Sequence, residues 1–500
     1  MSRRKTFLIG LVVVVLIGLV AALASAGGDD GGSPDGAASA DEGRGEAPDP
    51  QDAEDPGAGG TVGAAGVDDP YYPQLGNGGY DVTHYDLDLS WQPEIGGIAG
   101  TATIEAKSTQ SLSSFNVDLL ADLEIDQVSV DGAEATAERR DDHEVTITPV
   151  ETIADDAAFT AVVHYGGVSE PVEGLLPGLG GWVTDGREVY VASEPDGAAG
   201  FFPGNDHPSD KATYTLHVTA PDDLTVVANG VVTGTDEDPA ERTKTWHFDM
   251  ADPMASYLVQ VGIGDLTVEE GASPAGVPIR NAFDDDVPEQ DASARHVRTG
   301  EMIDYFATRF GPYPFANYGV LVVDDPIGFA LETQTLSLFP AGIDEETVAH
   351  ELAHQWFGDD VSPARWKDVW LNEGFATYAS WLWLSEGSGG GADIDDLAEG
   401  AAGMGDELNL PPAEPGGPEN LFAGSVYYRG ALTLHVLRDA MGDDKFFELL
   451  RTWVDRYGGR SATTAEFESL AGDIAGTDLS SLFDAWLRSD ELPRLSDWLR

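Results

Sequence analysis

The sequence predicts a multidomain α+β fold, with an N-terminal β domain of sandwich type followed by a mostly helical domain. Three observations predict it. From about Tyr71 to Glu270 apolar residues recur at period two, the pattern of strands with one buried face. After about residue 275 the period turns helical. The length of 500 residues also exceeds what one hydrophobic core usually organises. The expected bounds are 70–272 for the β domain and 273–500 for the helical one.

The chain opens with Arg3, Arg4 and Lys5, an uncharged apolar run from Phe7 to Ala24, and an A-x-A pattern at Ala24, Ser25 and Ala26. Residues 1–26 therefore have the form of a secretory signal. The run is also long enough to cross a bilayer, so residues 7–26 are either removed on export or kept as a membrane anchor. Both outcomes place the folded body outside the cytoplasm, secreted or at the cell surface. The chain has no cysteine, so neither a cysteine-linked lipid nor a disulfide is available to it. Residues 27–69 hold 12 acidic side chains against one basic, with Val62 and Val67 the only large apolar ones. Such a segment buries too little surface to offset its ordering entropy and is expected to be a disordered, acidic, self-repelling linker.

Within the β region, "ATYTLHVTA" sets Ala212, Tyr214, Leu216, Val218 and Ala220 on one face and three threonines with His217 on the other. "YDLDLSW" at 85–91 alternates in the same way, and turn clusters such as "PDD" at 221 and "ANG" at 228 separate the runs. The helical region begins with "ARHVRTGEMIDYFATRFGPYP", which ends in Gly and Pro as a helix stop should. A short strand-like pair follows, "YGVLVVDD" and "TLSLF", and helices are expected at 425–441, 444–457, 463–475 and 479–488. Thr463 and Glu466 stand at capping-box spacing. No internal repeat is present.

Asp and Glu number 89 against 26 Lys and Arg, a formal net charge of −63. That excess excludes nucleic acid as a partner class. It keeps the protein soluble and draws cations and cationic peptides toward it.

The chemistry is carried by "HELAHQWFGDD". His350 and His354 are four apart, so on a helix both rings share one face and can address one ion. Glu351 then lies beside that ion, free to act on its water, as in the H-E-x-x-H arrangement of metallopeptidases. "WLNEGFATY" places Glu373 nineteen positions after His354. A carboxylate from a second helix is the third ligand of the His, His, Glu class of catalytic zinc site, whose fourth position is left for water. Trp366, Trp370, Trp381 and Trp383 around Glu373 are expected to form core. His217 and His435 are expected to be structural, and Asp359, Asp360 and Asp368 are alternative partners for a zinc-binding imidazole.

"HELAHQWFGDD", "DVWLNEGFATY", "GFALETQT" and "YYRG", with "DHPSDKATYTLHVTAPDDLTVVANG" in the β region, together resemble the zinc aminopeptidases typified by aminopeptidase N and leukotriene hydrolase. The resemblance covers about residues 70–498 and implies a thermolysin-like catalytic domain with one zinc ion per chain. It places the metal ligands on His350, His354 and Glu373 and the general base on Glu351. The oxyanion donor falls on Tyr427 in preference to Tyr428, with Arg429 where the family usually has lysine. The glutamate that holds the substrate's α-ammonium falls on Glu332, with Phe329, Leu331 and Thr333 replacing the usual Gly, Met and Asn. A second amine contact falls on Glu194. The chain is similar to a short member lacking the large C-terminal helical domain, which implies a more open cleft.

The function expected on these grounds is an exported zinc aminopeptidase acting on peptides with free N-termini. A zinc endopeptidase on the same site and a non-catalytic surface protein stabilised by zinc stay open as alternatives. Glu332 argues against the first, and Glu351 with Tyr427 against the second. Epoxide hydrolysis, known in one branch of the family, stays open as well.

Overall fold

The computed structural model describes residues 60–169, 181–288, 298–387 and 391–499. The expected signal or anchor at 1–26, and the linker as far as residue 59, lie outside the described residues. Among the described residues no helix is long and apolar enough to cross a membrane.

The linker was expected to reach residue 69, but residues 60–69 already belong to the β domain. Thr61–Val62 runs parallel to Leu112–Asp118. Gly60 lies so close to that strand that a Cβ would meet its backbone at 2.7 Å. Asp69 is buried and accepts hydrogen bonds from the backbone N–H groups of Tyr71, Tyr72 and Trp366 at 2.8, 3.0 and 2.9 Å. Burial pushes its carboxyl up, but these bonds and His207 outweigh burial and hold it down to about 2. Hydrogen bonds order this stretch, and low hydrophobicity does not reveal them.

The largest sheet has eight strands. In spatial order they are Val231–Asp238, Thr243–Ala255, Lys211–Pro221, Tyr80–Gln92, Gly97–Ser108, Ala158–Gly167, Leu123–Val130 and Ala133–Glu134. All neighbours are antiparallel except Lys211–Pro221 with Tyr80–Gln92. Ala212, Tyr214, Leu216, Val218 and Ala220 are buried, as the alternation requires. In Tyr80–Gln92 the buried positions run Tyr80 and Val82, then Tyr85, Leu87, Leu89 and Trp91. The change of parity falls at a bulge between Val82 and His84, where one extra residue turns the following side chains to the opposite face. Each large side chain so buried contributes about 1.5–3 kcal/mol. Two four-stranded sheets complete the domain. One contains Leu112–Asp118 and Glu144–Thr148, the other Gly181–Asp185, Glu188–Ala192, Val261–Gly264 and Thr225–Ala228.

The domain boundary lies earlier than the expected 272. Leu266–Ala272 pairs with Pro278–Asp284, which pairs in parallel with Val320–Val323 and through it with Ser337–Pro340. This sheet belongs with the helices that follow. Periodicity marks a strand but does not name its partner.

The helices are α1 (Thr299–Phe310), α2 (Glu345–His354), α3 (Trp370–Leu382), α4 (Ile394–Ala402), α5 (Gly430–Met441), α6 (Asp443–Tyr457), α7 (Thr464–Ala475) and α8 (Ser480–Phe483). Helix α1 stops at Gly311, whose φ of 113° suits glycine. Helix α7 starts in the expected Thr463/Glu466 capping box. A π-helical turn, Ser425–Arg429, leads into α5. Trp366, Trp370, Trp381 and Trp383 are all core.

Several bonds join the two domains. The buried Lys211 ammonium donates to the backbone carbonyls of Asp359 and Asp360. Asn229 donates to the carbonyl of Gln334, and the Gly230 N–H to Thr335 Oγ1 at 2.8 Å.

Candidate active site

Helix α2 begins where the Asp344 side chain accepts the Thr347 N–H, which satisfies an otherwise free donor of the first turn. His350 and His354 follow one turn apart near its C-terminal end. Helix α3 packs against α2 and carries Glu373 in its first turn. His350 Nε2 is 3.1 Å and His354 Nε2 3.5 Å from Glu373 Oε2. One donor atom from each of the three residues lies within 4.8 Å of the others, and all three residues are buried.

His354 Nδ1 lies 3.1 Å from the Phe357 carbonyl oxygen. A carbonyl can only accept, so Nδ1 carries the proton and Nε2 presents its lone pair toward Glu373. This backbone group fills the role for which the sequence suggested Asp359, Asp360 or Asp368. Those acids bond elsewhere: Asp359 accepts from Gln355, Asp360 from the Gly459 N–H, and Asp368 from Thr464. Two imidazole nitrogens and one carboxylate oxygen that converge in this way, one ring held in the ligating tautomer, fit a catalytic zinc ion.

These residues form one wall of a cavity of about 370 Å³ that Glu351, Tyr427, Glu332 and Glu194 also line. Burial pushes the Glu351 carboxyl well above its usual range; His354 opposes this, and Glu332 and Glu373 add to it. Tyr427 sits in the π turn with its ring stacked on His350, centroids 5.9 Å apart and planes 20° from parallel. Tyr428 was expected to pack; it is half-buried against the core but also reaches the cavity.

Glu332 and Glu194 come from different domains and meet in the cavity. A carboxylate oxygen of each lies within 4.8 Å of the other and of one from Glu373. Burial raises both carboxyls. Glu332 Oε1 and Glu194 Oε1 have no hydrogen-bond partner among the described residues. Two buried carboxylates with unmet acceptor capacity form a site for a cationic donor. Glu194 was the weakest sequence match, yet it stands beside the other site residues.

The loop that carries Glu332 is held from two sides. From α2, Gln355 donates to the Glu332 carbonyl at 2.9 Å and accepts the Thr335 N–H at 2.9 Å. From the β domain, Gln260 donates to Thr333 Oγ1 at 3.3 Å, and Thr333 Oγ1 donates to the Leu336 carbonyl at 2.5 Å. The threonine that departs from the family pattern therefore has its own bonding here. Leu331 joins an apolar cluster with Tyr190, Leu321 and Leu338, while Phe329 lines the cavity.

Sequence reasoning missed Asn229, Gln260 and Gln355 because single polar residues in a turn or a helix end carry no periodic signal. It also missed the role of Arg429. That side chain is fully buried. It donates to the backbone carbonyls of Trp486, Leu408, Asn409, Leu410, Ala485 and Ser489 at 2.7–3.4 Å. The π turn that presents Tyr427 is thereby fixed to one earlier segment, at 408–410, and one later, at 485–489. His217 pairs with His247 Nδ1 at 2.6 Å on the sheet surface, and His435 is buried 3.5 Å from Asp395; neither belongs to the active site.

Two sequence-family models match the chain. The Peptidase M1 N-terminal domain covers residues 82–258 and the Peptidase family M1 domain residues 297–486. The fold superposes on an M1 zinc metallopeptidase from Deinococcus radiodurans, solved as a mutant bound to a Tyr-Ser-Ala substrate, with a TM-score of 0.81 and 32% identity over 86% of this chain and 99% of that one. Curated relatives include aminopeptidase N of Streptomyces lividans, 25% identical over 82% of this chain and 50% of its own length. Another is aminopeptidase A of Gloydius brevicauda, 26% identical over 62% of this chain and 35% of its own length. The chain thus spans a third to a half of these curated relatives.

Proposed function

The chain belongs to peptidase family M1, and from that premise we propose that it is a zinc-dependent aminopeptidase that removes N-terminal residues from peptides. The observation that carries this reading is one cavity in which the His350, His354 and Glu373 donors stand beside the unpartnered carboxylate oxygens of Glu332 and Glu194. The first group suits a metal and the second a substrate ammonium, and an exopeptidase needs both.

His350, His354 and Glu373 would hold one zinc ion, which supplies Lewis acidity toward the scissile carbonyl and lowers the pKa of water toward about 7. Glu351 takes the proton from the attacking water and later returns it to the leaving amine. The Tyr427 hydroxyl donates to the oxygen on which negative charge develops. Glu332 and Glu194 bind the free α-ammonium and so fix the cleaved bond one residue from the N-terminus. A blocked N-terminus would leave both carboxylates buried and unpaired, and this penalises endopeptidase use of the site. For the same reason the free-amine reading is preferred to a purely structural zinc, which has no use for Glu351 or Tyr427. The pattern of residues 1–26 supports action outside the cytoplasm.

The test is hydrolysis of aminoacyl anilides and their N-acetylated counterparts, with and without a chelator. Free substrates should be cleaved, chelation should abolish cleavage, and acetylated substrates should resist. Equal cleavage of both kinds would rule the proposal out.

A further inference from the structure

A second cluster of metal-ligating side chains lies in the β domain, outside the active-site cavity. Asp118 ends one strand and Glu144 begins its antiparallel neighbour, and the two are direct cross-strand partners. One donor atom each from Asp118, Glu144 and the preceding His143 lies within 4.8 Å of the others. Like charges set opposite each other on a ladder repel, and here solvent cannot screen them. Asp118 is 0% and Glu144 3% exposed.

The hydrogen bonds around the pair are incomplete. Asp118 Oδ2 accepts from Asn77 Nδ2 at 3.0 Å and from the Asp206 N–H at 2.9 Å. Asp118 Oδ1 and Glu144 Oε1 have no hydrogen-bond partner among the described residues. An oxygen left so in the interior forfeits its hydration without replacement. His143 Nε2 is 3.1 Å from the Gln74 carbonyl oxygen, so Nε2 is the donor and Nδ1 presents its lone pair. Asp141 Oδ1, which accepts the backbone N–H groups of His143 and Glu144, stands 3.5 Å from that Nδ1.

We infer that Asp118, His143 and Glu144 bind a second divalent metal ion. Two carboxylates with one imidazole mix hard oxygen with borderline nitrogen, a set that suits zinc or manganese. The ion compensates the facing carboxylates and satisfies their free oxygens. It also fixes a segment that matters to the active site. The Asp118 backbone pairs with Gly204 on both sides, and its side chain holds the Asp206 N–H. The stretch leading away from Glu194 is therefore anchored at this point. The inference does not depend on the proposed activity.

The test is elemental analysis of the full chain carrying His350→Ala and His354→Ala, which removes the active-site donors. The protein is stripped of metal, dialysed against Zn²⁺ alone or Mn²⁺ alone, and freed of excess. One ion per chain should remain in at least one arm, and that metal should raise the melting temperature. Adding Asp118→Asn and Glu144→Gln should abolish both effects. His143→Ala, at a half-buried position, provides a second variant should the acid-pair variant fail to fold, and it should weaken binding by about 10-fold or more. No uptake of either metal, with an unchanged melting temperature, would overturn the inference. Uptake that survives the His143 and acid-pair substitutions would overturn it too, because the ion would then sit elsewhere.

Discussion

Glu351 and Glu332 are both buried carboxylates on one cavity wall, yet their surroundings assign them different work. Glu351 follows His350, one of the three residues whose donors converge, whereas Glu332 faces Glu194 from across the domain boundary. Glu351→Gln keeps the shape but removes the proposed proton acceptor. It should lower kcat by about 10²–10⁴-fold while zinc content stays at the wild-type level. Glu332→Gln removes a charge that, under the proposed function, meets the substrate ammonium. It should cost about 2–4 kcal/mol in kcat/KM for free-amine substrates and narrow their advantage over acetylated ones; an unchanged preference would place amine recognition elsewhere. Arg429 acts at a distance from the chemistry. Replacing it with methionine strands six backbone carbonyls around the π turn. The expected loss is about 3 kcal/mol or more of unfolding free energy by urea titration, with part of it recovered by Arg429→Lys. That His350 and His354 meet was legible in the sequence, because helical spacing alone brings them to one face. Arg429 was not, since its partners are main-chain oxygens that leave no mark in residue types.

At the scale of elements, the site is a junction of α2, α3 and the π turn before α5. Gly374, next to Glu373, meets Gly430, one residue beyond the π turn. A Cβ on Gly374 would lie 2.9 Å from the Gly430 Cα, and a Cβ on Gly430 equally close to the Gly374 Cα. Absence of side chains at these two positions lets the segment bearing Tyr427 approach the helix that carries Glu373. Gly374→Ala should therefore push α3 from α5, at a cost of about 1–3 kcal/mol in stability, and should lower kcat more than it raises KM because Glu373 and Tyr427 are displaced together. A variant with wild-type kcat would show that the contact is not needed. The elements that periodicity can mark, namely the long strands, α1, α2, α3 and the helices after 425, were legible. What escaped was partnership. The strands Leu266–Ala272 and Pro278–Asp284 look like more of the β domain, and only their pairing with Val320–Val323 assigns them to the catalytic unit. Asp69 escaped for a related reason, as its segment is ordered by backbone bonds rather than by apolar burial.

At the scale of the whole molecule, a charge of −63 is accommodated partly by carboxyls that burial holds above their usual range. Asp210 is the clearest case: burial first, with Asp81 adding to it and bonds from Val82 and Asn205 opposing, pushes it up to about 8. Between about pH 4 and pH 8 the folded chain then holds a proton at Asp210 that the unfolded chain has lost. Stability contributed by this group is present below its unfolded pKa and is lost as pH rises toward about 8, with a slope of at most about 1.4 kcal/mol per pH unit. Asp210→Asn should flatten that part of the pH–stability curve, as read from denaturant midpoints. Lys211, which burial lowers to about 8, acts oppositely and only above that pH, where the unfolded chain holds the extra proton and stability rises. Lys211 opens the strand Lys211–Pro221, and Asp210 immediately precedes it. The proposed function rests on a metal ion bound where the donors of His350, His354 and Glu373 converge. Diffraction at the zinc absorption edge from crystals of active protein tests this most directly. A single anomalous peak within about 2.0–2.2 Å of His350 Nε2, His354 Nε2 and a Glu373 oxygen is the predicted result. Active protein with no peak at that position would contradict it.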